Sequence, residues 1–333
     1  MHALLSRLRL DPYIIAIMAM VALASILPAR GWGREGLDYL VHAAIALLFF
    51  LYGARISPTA MWQGLTHWRL QGLVFLTTYA VFPLVGLAVV GLAGGFLDAS
   101  LATGLLFVCL LPSTVQSSIA FTSIARGNVP AALCSASVSN LAGVILTPLL
   151  VAAFLTTQSG GISTGALSDI ALQILLPFTI GQCARPLVGN WLTHHKTLTM
   201  MVDRGSILLV VYSAFSAGVV AGIWKMVSPQ SFALVLALDM VILALVLVFT
   251  TVASRLLKFS KEDEIAIVFC GSKKSMASGL PMANTLFATS AVGLIVLPLM
   301  LFHQMQLMVC ASLARRYSLR ASADHAALEG APS

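Results

Sequence analysis

Cys270-Gly-Ser-Lys-Lys-Ser-Met-Ala-Ser-Gly-Leu-Pro281 lies inside an apolar run from Ile265 to Phe287. A bilayer-crossing helix needs about 20 apolar residues, and this run has that length. It nevertheless carries two lysines, three serines, two glycines and a proline. A lysine at the centre of such a helix costs roughly 2.5 kcal/mol or more on insertion scales. Lys273 and Lys274 must therefore face a cavity, a partner or other protein. Glycine and proline beside them point to a broken helix, whose freed backbone groups are tolerated at membrane depth only around a polar site. The stretch reads as one half of a transport site.

The rest of the composition sets the class. Of 333 residues, 59% are hydrophobic and 9% charged, and the mean hydropathy is +0.95. A soluble domain cannot hide that much apolar surface, so the chain is expected to be an all-α polytopic membrane protein. Cys109, Cys134, Cys183, Cys270 and Cys310 all fall in apolar runs without metal-ligand spacing. They read as small packing residues, with no disulfide framework. The first apolar run ends Ile26-Leu-Pro-Ala-Arg30 without a small-residue cleavage site, so no cleaved leader is expected.

Apolar segments near 13–29, 37–57, 70–93, 99–125, 128–156, 166–190, 204–224, 232–257, 264–288 and 290–314 predict ten transmembrane helices. With the N-terminus inside, 14 of the 19 basic residues are cytoplasmic and only Arg30, Arg34 and Lys225 lie outside; the remaining two are the intramembrane lysines. The positive-inside rule is thus met with both termini cytoplasmic. The same rule explains the basic excess without any nucleic-acid partner. Compact loops suggest a bacterial cytoplasmic (inner) membrane, with lipid as the surrounding partner.

An internal regularity gives the organisation. A shift of 160 residues lays Leu47–Ala54 over Ile207–Ala214, and Val108–Ser118 over Val268–Ser278. At a shift of 150, Gly143-Val-Ile-Leu-Thr-Pro-Leu-Leu150 matches Gly293-Leu-Ile-Val-Leu-Pro-Leu-Met300. Two five-helix halves follow, and an odd number inverts the second relative to the first. The expected plan is a cytoplasmic N-terminus at 1–12, a first repeat at 13–156, a linker at 157–165, an inverted repeat at 166–314, and a disordered cytoplasmic tail at 315–333.

The lysine stretch has a mate in the fourth span, Leu111-Pro-Ser-Thr-Val-Gln-Ser-Ser-Ile119. Two broken helices meeting at the midplane would bring opposed half-helix ends together, a setting that suits an anion. The plainer reading of either one alone is a proline kink with serines bonded back to the helix. The candidate substrate contacts are Ser113, Thr114, Gln116, Ser272, Lys273, Lys274, Ser275 and Asn284. In the fifth span, Ser135, Ser137, Ser139 and Asn140 offer hard oxygens for a cation such as sodium, or else close helix packing. Asp239, well inside its span, is a candidate ion-pair partner or proton site, or an interfacial acid. His303, Gln304 and Gln306 are further wall candidates, His303 as a proton carrier or simply as hydrogen-bonded structure.

Leu111-Pro-Ser-Thr with Ala125-Arg-Gly-Asn-Val129, and the Cys270–Pro281 stretch, resemble the sodium/bile acid cotransporter superfamily, more closely its bile acid:sodium symporter-like branch. The resemblance spans about residues 10–315. It implies two inverted five-helix repeats, a panel domain from spans 1, 2, 6 and 7, and a core domain from spans 3–5 and 8–10. Spans 4 and 9 cross there as broken helices. It also implies symport of an organic anion with sodium, with no organic cofactor. By motif position, Ser117 and Ser118 match sodium-site residues, and Ser137 to Asn140 fall in the fifth-span ligand region, joined by Lys273 and Lys274 as occupants.

One departure is large. Aligning the family's Ser-Gly pair on Ser278-Gly279 puts Ser272 where the family has Glu and Met276 where it has Gln. Attraction for sodium turns into repulsion. An ammonium from Lys273 or Lys274 would then stand in for a bound sodium, making the carrier sodium-independent or proton-linked, or would bind the substrate's anionic group directly. The rival classes are a channel or non-transporting regulator of the same fold, and an intramembrane Ser–Lys enzyme pairing Ser272 with Lys273 or Ser275 with Lys274. No HExxH or Gly-x-Ser-x-Gly pattern supports the enzyme.

Overall fold

A computed structural model of the chain describes residues 12–55, 67–159, 174, 176–220, 222, 228–287 and 289–329. Among these the structure is helical, without strands. The helices are α1 (Pro12–Ile26), α2 (Trp32–Arg55), α3 (Trp68–Leu76), α4 (Phe82–Ala93), α5 (Ala99–Leu110), α6 (Gln116–Ile124) and α7 (Val129–Ser159). They continue as α8 (Leu176–His194), α9 (Lys196–Val220), α10 (Pro229–Leu256), α11 (Lys261–Gly271), α12 (Met276–Leu286) and α13 (Thr289–Glu329). Six stretches are long and apolar enough to cross a membrane: 32–55, 68–96, 129–155, 197–220, 229–256 and 291–320. Shorter apolar helices occur at 15–26 and 99–110. Most of the expected linker, 160–165, and nearly all of the expected N-terminal segment, 1–11, lie outside the described residues.

The chain divides into two compact units, each drawing on both halves of the sequence. One comprises residues 1–55, 162–228 and 280–296; the other comprises 56–161, 229–279 and 297–333. Residues 280–296, which the resemblance puts in the core, belong with the first unit.

In the first unit, α2 and α8 touch backbone to backbone. A Cβ on Gly53 would strike the Phe178 carbonyl, and one on Gly181 would strike the Phe50 carbonyl. Small residues at a helix crossing permit this approach where lipid offers no hydrophobic driving force. Leu51, Ala54 and Leu192 fill the space around it. The Ser206 hydroxyl donates to the Ala44 carbonyl at 3.2 Å and Tyr212 to the Leu27 carbonyl at 2.8 Å.

The second unit has an apolar core in which Leu70, Leu73 and Val74 of α3 meet Ala131 and Ala132 of α7 and Ala266, Ile267 and Cys270 of α11. Helix α10 buries Val235, Ile242, Leu243 and Val246 while exposing Met240, Leu245, Val248 and Val252. A helix apolar on both faces suits one side packed on protein and the other on lipid.

The Ala125–Val129 stretch is a tight turn. Arg126 takes φ 59° and closes α6, with the Gly127 amide donating to the Thr122 carbonyl at 2.8 Å. Such a reversal satisfies carbonyls that a helix end leaves open. A Cβ on Gly127 would strike the Ile265 side chain, so only glycine fits. Asn128 caps α7 by accepting from the Ala131 amide at 3.0 Å, and its Nδ2 donates to Asp263 at 2.7 Å. These family-like residues join helices, and Ala125 packs against Phe269.

The expected tail begins inside a helix. Helix α13 continues unbroken to Glu329 because no glycine or proline follows Pro298 until Gly330, and the Arg, Ala, Leu and Ser residues beyond Ala314 sustain a helix.

Candidate functional site

Both expected breaks are present and lie against each other. Chain 111–115 separates α5 from α6, and chain 272–275 separates α11 from α12. Pro112 has no amide hydrogen, so α5 cannot continue past it in the ordinary pattern. Buried carbonyls freed in this way need new donors. Thr147 Oγ1 donates to the Leu110 carbonyl at 2.9 Å, the Ser275 amide to Pro112 at 2.9 Å, and Asn140 Nδ2 to Ser113 at 2.6 Å. The exchange runs both ways. Ser113 Oγ donates to the Cys270 carbonyl at 2.6 Å, and Ser118 Oγ to Phe269 at 2.9 Å. Groups of each break thus satisfy carbonyls of the other.

Lys274 is fully buried. Its Nζ donates to the carbonyls of Thr78 at 2.9 Å, Cys109 at 2.8 Å and Leu111 at 2.7 Å. It also lies 4.1 Å from the centroid of the Phe82 ring. Thr78 belongs to a π-helical turn, Thr77–Val81, where the Phe82 amide bonds the Thr77 carbonyl. Pro83 has no amide to offer, which leaves the Thr78 carbonyl free for the ammonium. Gln306 fixes the backbone of Lys274, accepting from its amide and donating to its carbonyl, both at 2.9 Å.

Lys273 is equally buried and points elsewhere. Its Nζ donates to the Ser117 carbonyl at 2.7 Å and stands 4.1 Å from the Phe121 ring centroid and 5.3 Å from that of Phe269. Aromatic faces attract cations, more strongly where water is excluded. The two side chains leave the non-helical break in different directions, which gives the two ammonium groups separate surroundings.

The other candidates fall into three groups. Ser113, Ser118, Ser139, Asn140, Ser272 and Ser275 knit the breaks. Ser139 Oγ accepts from the Ser113 amide at 3.0 Å, Asn140 Oδ1 accepts from Ser278 Oγ at 2.9 Å, and Ser272 Oγ bonds back to Val268 at 2.6 Å. Ser275 caps α12, its Oγ accepting from the Ser278 amide at 3.2 Å. Thr114 and Ser117 are half-buried and bonded to each other at 3.4 Å, beside an exposed Gln116. The third group makes other contacts. Ser135 turns to Gln71 at 2.9 Å. Ser137 is half-buried further along the same helix, and Asn284 belongs to the first unit. His303 Nδ1 accepts from Gln306 at 2.8 Å. Asp239 is buried with neither carboxyl oxygen hydrogen-bonded, so the expected ion pair with a lysine is not formed.

Sequence reasoning missed the Thr78 carbonyl and the Phe82 and Phe121 rings. Pro83, five residues after Thr78, lacks the amide that a π-helical pattern would direct at that carbonyl, and was the available signal for the first. The rings carried none.

The sequence matches the SBF-like CPA transporter family over residues 11–319. The chain belongs to this family. Among its relatives are "Uncharacterized protein PA2026" of Pseudomonas aeruginosa, 54% identical over 97% of both chains, and "Putative symporter YfeH" of Escherichia coli, 49% identical over 92% of this chain and 93% of the relative. Sodium/bile acid cotransporter 7 of Xenopus tropicalis is 27% identical over 92% of this chain and 91% of its own. Membership of the SBF-like family agrees with an integral membrane transporter of the sodium/bile acid cotransporter superfamily, and its transporter relatives speak for transport over catalysis. The geometry concurs, since the Ser272 and Ser275 hydroxyls are bonded to Val268 and Ser278 and not to a lysine.

Sodium, implied for this fold family, fits the crossing poorly. The oxygens of Ser139 and Asn140 already accept hydrogen bonds, and converging carbonyls are taken by ammonium groups.

Proposed function

We propose that the chain is a secondary carrier of a small organic anion, working by alternating access in a bacterial cytoplasmic membrane with both termini inside, and that sodium does not bind at its crossing. The observation that carries this reading is the reciprocal closure of two helix breaks by each other's polar groups. The second half-helix of the first break starts at Gln116 and that of the second at Met276, an offset of 160 residues equal to the repeat in the sequence. That supports two inverted five-helix repeats, 13–156 and 166–314, with spans 4 and 9 as the crossing pair.

Charge argues for an anion. Two buried ammonium groups stand at the crossing with carbonyl and ring partners but no carboxylate. Helix α6 has no side-chain cap at its N-terminal turn, where Thr114, Gln116 and Ser117 cluster. Uncapped amides and the positive end of the helix favour negative charge. A carboxylate or similar group would bind there and be balanced by Lys273. The relatives named sodium/bile acid cotransporters support an organic anion of this kind.

The test is uptake into liposomes holding the purified protein, with a bile acid and a series of short carboxylates as probes. Saturable uptake that shows counterflow and ignores an imposed sodium gradient is expected. Flux that follows the sodium gradient would overturn the coupling; flux without saturation would indicate a channel, and none for any anion a regulator.

A further inference from the structure

The surroundings of Lys274 have the character of a monovalent-cation site. Three ammonium hydrogens meet three backbone carbonyls at 2.7–2.9 Å, and the Phe82 ring covers them at 4.1 Å. Each carbonyl is free for a reason that does not involve the lysine. Thr78 faces Pro83 and a Phe82 amide already bonded to Thr77. Cys109 has lost its helical donor, because the Ser113 amide turns to Ser139. Leu111 lies in the break itself. The convergence of carbonyls is therefore set by the backbone of α3–α5, and the lysine arrives from a different segment of chain to fill it. Neutral carbonyls arranged around a dehydrated ion are a known means of holding potassium.

We propose that Lys274 is a tethered occupant of a monovalent-cation site, and that removing its ammonium converts the chain into a binder of free potassium or ammonium ion. Hydrogen-bond spacing to Nζ is longer than sodium's contact with oxygen, so potassium and ammonium fit before sodium. The inference concerns binding alone and holds whether or not the chain moves an anion.

The experiment compares thermal melting of purified wild type, Lys274→Ala and Lys274→Gln in potassium, ammonium, sodium and choline chloride at equal ionic strength. An ion bound only by the native state raises the melting temperature by mass action. Lys274→Ala should melt about 1–2 °C higher in saturating potassium or ammonium than in choline, the shift given by about 1 kcal/mol of binding in a chain of this size. Wild type should respond equally to all four salts. Lys274→Gln, whose amide donates to the same carbonyls, should do the same. The proposal is overturned if Lys274→Ala melts alike in every salt, if wild type shows the same potassium-specific rise, or if Lys274→Ala folds in none of the salts while Lys274→Gln folds. Failure of both variants in every salt overturns it too, since an exchangeable ion would have restored the first.

Discussion

Gln306 and Lys274 are joined as two strands would be: the side-chain amide of one accepts from and donates to the backbone of the other, at 2.9 Å in both bonds. The break between α11 and α12 is thereby held open by a residue of α13, 32 positions away. Gln306→Leu orphans a buried amide and a buried carbonyl, each costing about 1–3 kcal/mol. Gln306→Glu retains the acceptor and should lose less. Chemical denaturation in detergent, read by circular dichroism, ranks the three proteins.

Lys273 should separate from Lys274 in kinetics. Lys273→Gln removes a charge from the anion side of the crossing while leaving an amide to meet the Ser117 carbonyl. Transport is expected to fall about tenfold or more through KM with kcat nearly kept, the pattern of lost uniform binding. Measuring initial uptake against substrate concentration distinguishes this from a loss of kcat.

Glu264 ties α10, α11 and α13 together. Its Oε1 accepts from Lys261 at 2.7 Å and from Tyr317 at 3.0 Å, and Arg255 meets both oxygens at 3.2 Å. Its side chain is 5% exposed, whereas that of Arg255 is 56% exposed. Glu264→Ala should cost about 1–3 kcal/mol, chiefly by leaving the buried Tyr317 hydroxyl without its acceptor. Arg255→Ala, removing an exposed member, should cost about 1 kcal/mol or less. Melting temperatures of the two variants test the contrast.

The α2–α8 contact makes a steric prediction. Gly53→Ala and Gly181→Ala each push a methyl into a backbone carbonyl, which cannot rotate away. Both variants should fail to reach a monodisperse state in size-exclusion chromatography. Gly72→Ala is the control: open space surrounds that glycine, and helix propensity favours alanine by about 1 kcal/mol.

Asp239 should be replaceable without loss of stability. Its carboxyl is buried without a hydrogen bond, and replacing such a group by an apolar one is often neutral or stabilising. Asp239→Leu is expected to melt at or above the wild-type temperature. A large drop would reveal that the carboxyl supports the fold.

Much of the crossing was legible in the sequence because proline and glycine mark helix breaks whatever surrounds them. Pro112, Gly271 and the intramembrane charges located both breaks, and the repeat paired them. The partners were harder to read. Lys274 is satisfied by backbone carbonyls, which every residue carries and no motif advertises. Ser135 sits one turn from Ser139 yet turns to Gln71, because small residues on a packed helix bond to whichever neighbour is nearest. Asn284 follows the serines of the second break closely in sequence, but the chain after Gly279 belongs to another unit.

A cation held by covalent bonds has no off-rate. The Lys274 ammonium is present at a fixed local concentration that no dilution of the medium can lower. The crossing accordingly carries the same charge in fresh water as in brine. It also has no metal ion to let go at that position, so a gradient acting there could act only on the ammonium's own proton.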